Sequence, residues 1–189
     1  MHGEGTVRDE VVIVGCENGA LSYADGTITK LSSPDEFGRI GNMFTAEDSS
    51  IAVGDYKSDP DAEGYLLSAF SLVDTETGTI SVHDLPEGVG YTFRDLDRGT
   101  DNAAIILGSD GALHVFSETD GSPVTSIPVI DAWEGPAEWQ DAHPALKVQD
   151  GVAYVTDPAT STIHAVNLET EEIVTSEALP GVPNEIALS

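Results

Sequence analysis

Basic side chains are scarce in this chain. Seven lysines and arginines stand against 34 aspartates and glutamates, which gives a formal net charge of −27 at pH 7. A surface this acidic repels nucleic acids and anionic lipids, so the sequence argues against either as a partner. The charge is compatible with cationic or metal ligands, and also with solubility or adaptation to salt. Net charge describes partners and surroundings rather than the fold.

Long apolar runs and catalytic motifs are also lacking. No apolar stretch approaches the roughly 20 residues that cross a bilayer, and no basic segment followed by an apolar one marks a leader. We therefore expect no membrane insertion. There is no GxSxG elbow, no P-loop and no GxGxxG motif, and the carboxylates are too numerous for two to be singled out as an acid–base pair. These absences favour a protein that is not an enzyme.

The chain has a single cysteine, Cys16, and therefore no internal disulfide. The residues alone leave three interpretations open. Because it follows VVIVG, Cys16 fits a small buried apolar side chain. Alternatively, its disulfide partner lies upstream in a longer, exported chain. The third interpretation is a reactive thiol, but no histidine or basic cluster close in sequence would activate it.

Short β-rich runs recur between Gly, Asp, Asn and Pro residues, and no stretch has the 3.6-residue apolar period of a helix. Four runs are typical of buried strands: VVIVG (11–15), SIAVG (50–54), AAIILG (103–108) and VAYVTD (152–157). A short strand precedes each run, and a strand, a hairpin turn and a further strand follow it. In the first three units the turns contain Asp25-Gly26, Thr77-Gly78 and Asp120-Gly121. The pattern is four strands in each of four units of about 40 to 50 residues.

These units predict an all-β fold, a β-propeller of about four blades with four antiparallel strands each. We place the blades at about 3–42, 43–92, 93–143 and 144–189, in a single propeller region, 1–189. Either the four blades close a small ring, or they form half of a larger propeller. We favour the half, because the chain starts directly on a first strand. Its last segment, PNEIALS, also looks like an extra strand with no unit left to join.

Two histidines stand at the same distance from a buried strand. His2 lies nine residues before Val11, and His143 lies nine residues before Val152. The same offset leads to Asn42 in the second unit and to Arg94 or Asp95 in the third. Segments at this place in different blades are expected to converge on one mouth of the propeller channel.

Imidazole nitrogen and carboxylate oxygen are normal zinc ligands, so this spacing predicts a shared metal site. Its members would be His2 and His143, with Glu4, Asp95 and Asp141 as candidate oxygen ligands. The alternative interpretation is purely local: His143-Pro144 forms a turn, and His2 belongs to a frayed terminus.

Several motifs in order resemble the AztD family of zinc metallochaperones: HGEG leading to VGCENGAL, then AHPAL, VAYVTDP and LPGVPNEIAL. The resemblance spans the whole chain and corresponds to the later part of such a protein. It implies an exported β-propeller that binds zinc and hands it to the substrate-binding protein of an ABC-type zinc importer. Zinc binding carries over to His2 and His143 alone. The resemblance also favours a disulfide between Cys16 and an upstream cysteine outside this chain.

We therefore expect a periplasmic or extracytoplasmic zinc metallochaperone that is monomeric and takes zinc as its ligand. The earlier blades and any histidine-rich N-terminal segment of such a protein are not in this sequence, so ligands from that half are invisible. The alternative is a non-catalytic propeller scaffold that binds another protein without metal. A propeller enzyme, such as a lactonase or a lyase, is a third class, and no residue pattern points to it.

Overall fold

The structure is a computed structural model that describes residues 2–188, apart from the side chain of His2. The chain divides into two compact units, each built around two sheets. The first unit contains the residues up to Glu63, Leu67–Gly88 and Glu118–Gly121, and the second contains Gly64–Leu66, Val89–Ser117 and the residues from Ser122 onward. That all of these residues form one domain stays a prediction.

The first unit contains two antiparallel sheets. The first sheet consists of β1 (His2–Val7), β2 (Val11–Cys16), β3 (Asn18–Ala24) and β4 (Thr27–Leu31), with β5 (Gly38–Arg39) pairing parallel to β3. The second consists of β6 (Met43–Phe44), β7 (Ile51–Tyr56), β8 (Ala69–Asp74) and β9 (Thr79–Asp84). Each strand pairs with the next along the chain, as in a propeller blade.

The second unit repeats this order. Its first sheet consists of β10 (Leu96–Arg98), β11 (Ala104–Leu107), β12 (Ala112–Phe116) and β13 (Pro123–Pro128). Its second sheet consists of β14 (Ala145–Gln149), β15 (Val152–Asp157), β16 (Thr162–Asn167) and β17 (Glu172–Ala178). The four predicted units of four antiparallel strands are therefore confirmed. Over residues 2–188 the only helical turns are 3-10 turns at Arg8–Glu10 and Thr100–Asn102.

The second strand of each sheet is more buried than the fourth. Every residue of β11 is buried, and so is every residue of β7 except the first, whereas all of β17 is exposed. This difference explains why the second strands are nearly continuous apolar runs in the sequence. The first strands are neighbours within a unit, β1 beside β6 and β10 beside β14. Segments that lead into first strands are therefore brought close together.

Each unit has an apolar core between its two sheets. Ile13, Ile40 and Tyr56 are in the core of the first unit, and Leu107, Leu146 and Val155 are in the core of the second. A single blade has two faces to bury, and stacking on its neighbour buries one of them.

One predicted element is absent. PNEIALS was expected to form an extra strand, but residues 179–188 contain none. A strand needs a neighbouring edge to pair with, and prolines at positions 180 and 183 remove two backbone donors. The carbonyl of Asn184 instead accepts a hydrogen bond from the side chain of Arg94. No helix in the described part of the chain is long and apolar enough to span a membrane.

Polar side chains close several hairpins. Asp74 Oδ1 accepts hydrogen bonds from the backbone N–H groups of Glu76 (2.8 Å) and Thr77 (3.1 Å), and Oδ2 accepts one from the Thr77 hydroxyl. Asn167 accepts two backbone hydrogen bonds in the same way in the last hairpin. Burial raises the pKa of Asp74, but the Thr77 and Glu76 hydrogen bonds and the charge of Arg8 outweigh it, so the pKa is lowered overall.

Replacing Asp74 by alanine should lower the free energy of unfolding by about 1–2 kcal/mol, since three hydrogen bonds are lost. Asp74→Asn should cost less, because an amide oxygen accepts the same two N–H bonds, as Asn167 shows. A lowered folded pKa means that the ionised carboxylate stabilises the fold above its ordinary pKa of about 4, and that this is lost as pH falls through the folded value. Urea unfolding at pH 7 and pH 3 measures both effects, and an alanine penalty undiminished at pH 3 would contradict the second.

Candidate metal-binding site around His143

The candidate site lies in the second unit, where two segments lead into neighbouring first strands. Arg94 and His143 each stand two residues before a first strand, β10 and β14 respectively. The backbone N–H of Leu146 donates to the carbonyl of Arg94 at 2.9 Å, which ties the start of β14 to the segment before β10. The segments that lead into the first strands of the third and fourth blades therefore lie close together, as the sequence predicted.

His143 is buried, with only 3% of its surface exposed. Its Nδ1 lies 2.7 Å from the carbonyl oxygen of Asp141. Because a carbonyl oxygen can only accept, Nδ1 carries the hydrogen and Nε2 of the neutral ring carries the lone pair. Nε2 is buried and has no hydrogen-bond partner. A ring fixed through one nitrogen by a backbone carbonyl, with the other left free, is the arrangement of a zinc-ligating histidine.

The surroundings of His143 favour its neutral form. Burial lowers its pKa most strongly, and the positive charge of Arg94 acts in the same direction. The hydrogen bond to the Asp141 carbonyl and the charges of Asp141 and Glu185 raise the pKa, but the sum is a pKa below the ordinary value. The Nε2 lone pair is therefore available at neutral pH, which metal coordination requires.

Arg94 organises the side chains around His143. The His143 and Phe93 rings are inclined by 68° with their centroids 6.4 Å apart, and the Arg94 guanidinium lies 5.3 Å from the centre of the Phe93 ring. Arg94 Nη1 donates to the carbonyl oxygen and to Oδ1 of Asn184, each at 2.9 Å, and Nη2 donates to Glu185 Oε1 at 3.2 Å. The guanidinium is thus held by the segment that follows β17.

Asp95 has a different environment from the one a metal ligand needs. Its carboxyl is fully buried, and Oδ2 accepts hydrogen bonds of 2.7 Å from both the N–H and the hydroxyl of Thr92. Burial raises its pKa to about 8, against the lowering effects of Thr92 and Arg94. Oδ1 is buried without a partner. A carboxyl that is protonated at neutral pH is a poor zinc ligand, so Asp95 fits a structural role better.

The remaining predicted residues are spread over both units. Asp141 Oδ2 accepts the N–H of Glu138 at 3.0 Å, and its carbonyl orients His143. Glu4 is exposed on β1, opposite Val14, and the side chain of His2 lies outside the described residues. Among the side chains that the structure describes, no three of the types His, Cys, Asp and Glu are grouped to hold a metal. The ligand set predicted from the sequence therefore stays a prediction.

The equal offset of the two histidines does not give them the same place in a sheet. His2 is part of β1 and pairs with Gly15, across an irregularity between residues 2 and 4. His143 instead precedes β14. The connection from first to second strand has three residues in the first blade and two, Asp150-Gly151, in the fourth. Equal distances from the second strand therefore fall at different positions relative to the first strand. His143 corresponds in position to Arg94, which the same offset rule had reached.

An open cleft of about 350 Å³ lies beside His143. It is lined mainly by apolar groups, among them Trp133, Pro144 and Val182, and by Glu134 and Asp157. Both Asp157 oxygens are engaged in its own hairpin, with the N–H of Ala159 and the hydroxyl of Thr160. His143 contributes a buried nitrogen, Nε2, that has no hydrogen-bond partner.

Cys16 lies at the end of β2 and is half-buried, with Sγ 3.7 Å from the Val14 carbonyl. It belongs to the first unit. Its predicted disulfide with an upstream cysteine would lie outside this chain and stays a prediction.

Solved structures show the same fold. Two structures of AztD from Citrobacter koseri, one of them in the apo form, match 97% of this chain with a TM-score of 0.77 and 21% identity. The chain has an AztD-like half-propeller fold. It covers only 49% and 48% of those two chains. BamB from Moraxella catarrhalis matches 89% of this chain, and 45% of its own, with a TM-score of 0.58 and 17% identity. No protein-family model and no curated protein matches the chain.

The AztD likeness confirms the predicted half-propeller, and identities this low show the fold alone. Sequence reasoning found His143 but assigned no role to Asn184 or to the guanidinium of Arg94. The available signal was Arg94 itself, one of only seven basic residues, at the position that the offset rule had marked.

The tautomer and charge of His143 can be measured directly. We expect ¹⁵N NMR to show a neutral ring with hydrogen on Nδ1 at pH 6.5, and a midpoint below the ordinary histidine pKa of about 6.5. A folded pKa below the unfolded one means that stability falls as pH drops below about 6.5, because the unfolded chain binds the extra proton. His164, whose Nδ1 lies 2.8 Å from the Ser176 hydroxyl, gives a second histidine signal in the same spectra for comparison. A ring with hydrogen on Nε2, or an elevated midpoint, would overturn this assignment.

Asp95→Asn tests the neutral state of the buried carboxyl. The raised folded pKa of about 8 contributes stability that is complete below the ordinary pKa and is lost as pH rises through 8. The asparagine variant lacks this dependence, so its stability relative to wild type should increase from pH 5 to pH 8.5. Denaturant unfolding across that range measures the difference. A constant difference would show that Asp95 is ionised throughout and is available as a ligand.

Proposed function

We propose that this chain is part of a periplasmic or extracytoplasmic zinc metallochaperone, which binds zinc and delivers it to the substrate-binding protein of an ABC-type zinc importer. The observation that carries the proposal is His143, whose Nδ1 is fixed by a backbone carbonyl and whose buried Nε2 has no partner. The AztD-like fold supports it, together with the ordered motifs that resemble that family of zinc metallochaperones.

In this proposal His143 Nε2 is one zinc ligand, and the Asp141 carbonyl sets the direction of its lone pair. Zinc sites take three or four protein ligands, so His143 needs others. His2 is the predicted second ligand, Glu4 and Asp141 are candidate oxygen ligands, and the remaining half of the propeller supplies further groups. Asp95 is the weakest of the predicted ligands because its carboxyl is protonated at neutral pH.

The chemistry proposed is ligand exchange without catalysis. A neutral imidazole holds zinc and releases it when a ligand of the acceptor protein replaces it. The net charge of −27 raises the local concentration of cations, an effect that weakens as salt screens it. A monomeric protein presents the site to its acceptor without competition from another copy. Neither nucleic acid nor membrane insertion has a role in this mechanism.

Replacing His143 by alanine in the full-length protein should weaken zinc binding by about 100-fold or more. Changes to residues that merely orient a ligand already cost 10- to 100-fold. Chelator competition at fixed pH and salt measures the affinity, and His2→Ala tests the second predicted ligand in the same assay. His164→Ala is the matched control, because it removes a histidine of the same unit that is bonded to Ser176.

Equal zinc affinity in wild type and His143→Ala would remove His143 from the site. If wild type itself holds no zinc, the proposal fails and a metal-free interaction scaffold becomes the better account. Where zinc does bind, transfer to the purified substrate-binding protein of the importer is the next assay. Zinc should then move to the acceptor faster than it appears on a free chelator.

A further inference from the structure

The segment after β17, residues 179–188, is here called the C-terminal strap. The backbone N–H of Leu179 donates to the carbonyl of Ser161 at 2.7 Å, which fixes the start of the strap on the last sheet. Further along, Asn184 accepts two hydrogen bonds from Arg94 and its Nδ2 donates to the carbonyl of Gln140 at 3.3 Å. Glu185 forms an ion pair with Arg94. Polar contacts thus hold the strap at its middle.

The strap lies beside His143. Val182 and His143 line the same cleft, and the charge of Glu185 is close enough to raise the His143 pKa. The histidine is nonetheless almost inaccessible, with 3% of its surface exposed and Nε2 sealed from solvent. A group that exchanges a ligand with solvent or with a partner has to become accessible, so some cover over His143 must move.

The strap has the features of a segment that can move. None of residues 179–188 is fully buried, and Val182 is 63% exposed. It has no ladder of backbone hydrogen bonds, in contrast to β14 and β15. Few buried apolar contacts and exposed polar ties are the features of segments that open locally at low cost. Arg94 is the opposite case, since 7% of its side chain is exposed and it is anchored in the body of the unit.

We propose that the C-terminal strap is a gate over His143, and that Asn184 and Glu185 latch it to Arg94. In the latched state the strap shields Nε2, and release of the latch exposes it to an incoming ligand. The use of this exposure for zinc rests on the proposed function. The movement itself does not, because it concerns contacts within this chain.

The first test needs no metal. Diethyl pyrocarbonate modifies unprotonated imidazole, and mass spectrometry gives the rate for each histidine of the full-length protein. In Asn184→Ala/Glu185→Gln we expect His143 to react about three- to tenfold faster than in wild type, as for the loss of one or two partly exposed hydrogen bonds. The rate at His164 should be unchanged. Glu177→Gln, on exposed β17, removes the same charge away from the latch and should leave both rates unchanged.

The Glu185 side chain is 72% exposed and Asn184 is partly exposed, so the variant should retain the wild-type thermal midpoint within a few degrees. Equal His143 rates in wild type and the double variant would overturn the gate. An acceleration matched by Glu177→Gln would also overturn it, because that would reflect charge rather than the latch.

The second test separates the gate from the zinc proposal. If zinc binds at His143, the double variant should both take up and release zinc about three- to tenfold faster, with little change in affinity. Faster modification of His143 in a protein that binds no zinc would support the gate and refute the proposed function. Zinc binding through His143 with unchanged modification and exchange rates would support the function and refute the gate.

Discussion

The apolar side chains of each second strand must be covered, and the rest of the structure follows from that constraint. A strand such as β11, buried at every residue, cannot meet this requirement within a single sheet. The two sheets of each unit therefore stack around a shared core, and their first strands become neighbours. Because the chain enters each first strand from the preceding blade, residues that are about 50 positions apart, such as Arg94 and His143, come together at the entry points.

The entry points of the second unit carry an unusual concentration of buried polar atoms without partners. His143 Nε2, Arg94 Nε and Asp95 Oδ1 all lie there. Buried polar atoms are normally paired, since each unpaired one costs free energy. A fold tolerates such a cost where it has a use, and a histidine lone pair kept free of hydrogen bonds is useful for binding a ligand. The raised pKa of Asp95 keeps its carboxyl protonated and uncharged, which lowers the free-energy cost of burying it.

Electrostatics around His143 are balanced rather than uniformly acidic. The chain as a whole has a net charge of −27, yet the ionisable group in contact with the Phe93 ring beside His143 is the cation Arg94. Burial does most to lower the pKa of His143 and keep the ring neutral, the charge of Arg94 acts in the same direction, and Glu185 offsets part of that charge from the strap side. The same ion pair therefore links two properties of the site, the protonation of the histidine and the position of the segment that covers it.

The sequence by itself determined the elements: apolar runs fixed the second strands, and Asp-Gly or Thr-Gly pairs fixed the hairpins, because both signals are local. Four repeats of this pattern were enough to predict four propeller blades. The prediction of an extra strand in PNEIALS was wrong, because a strand also needs a partner edge that no local pattern reveals. Only the tertiary structure placed Arg94 against His143 and against Asn184, 90 residues away. It also separated His143 from the strand position of His2, because turn lengths and a bulge alter the register in ways that equal spacing cannot show.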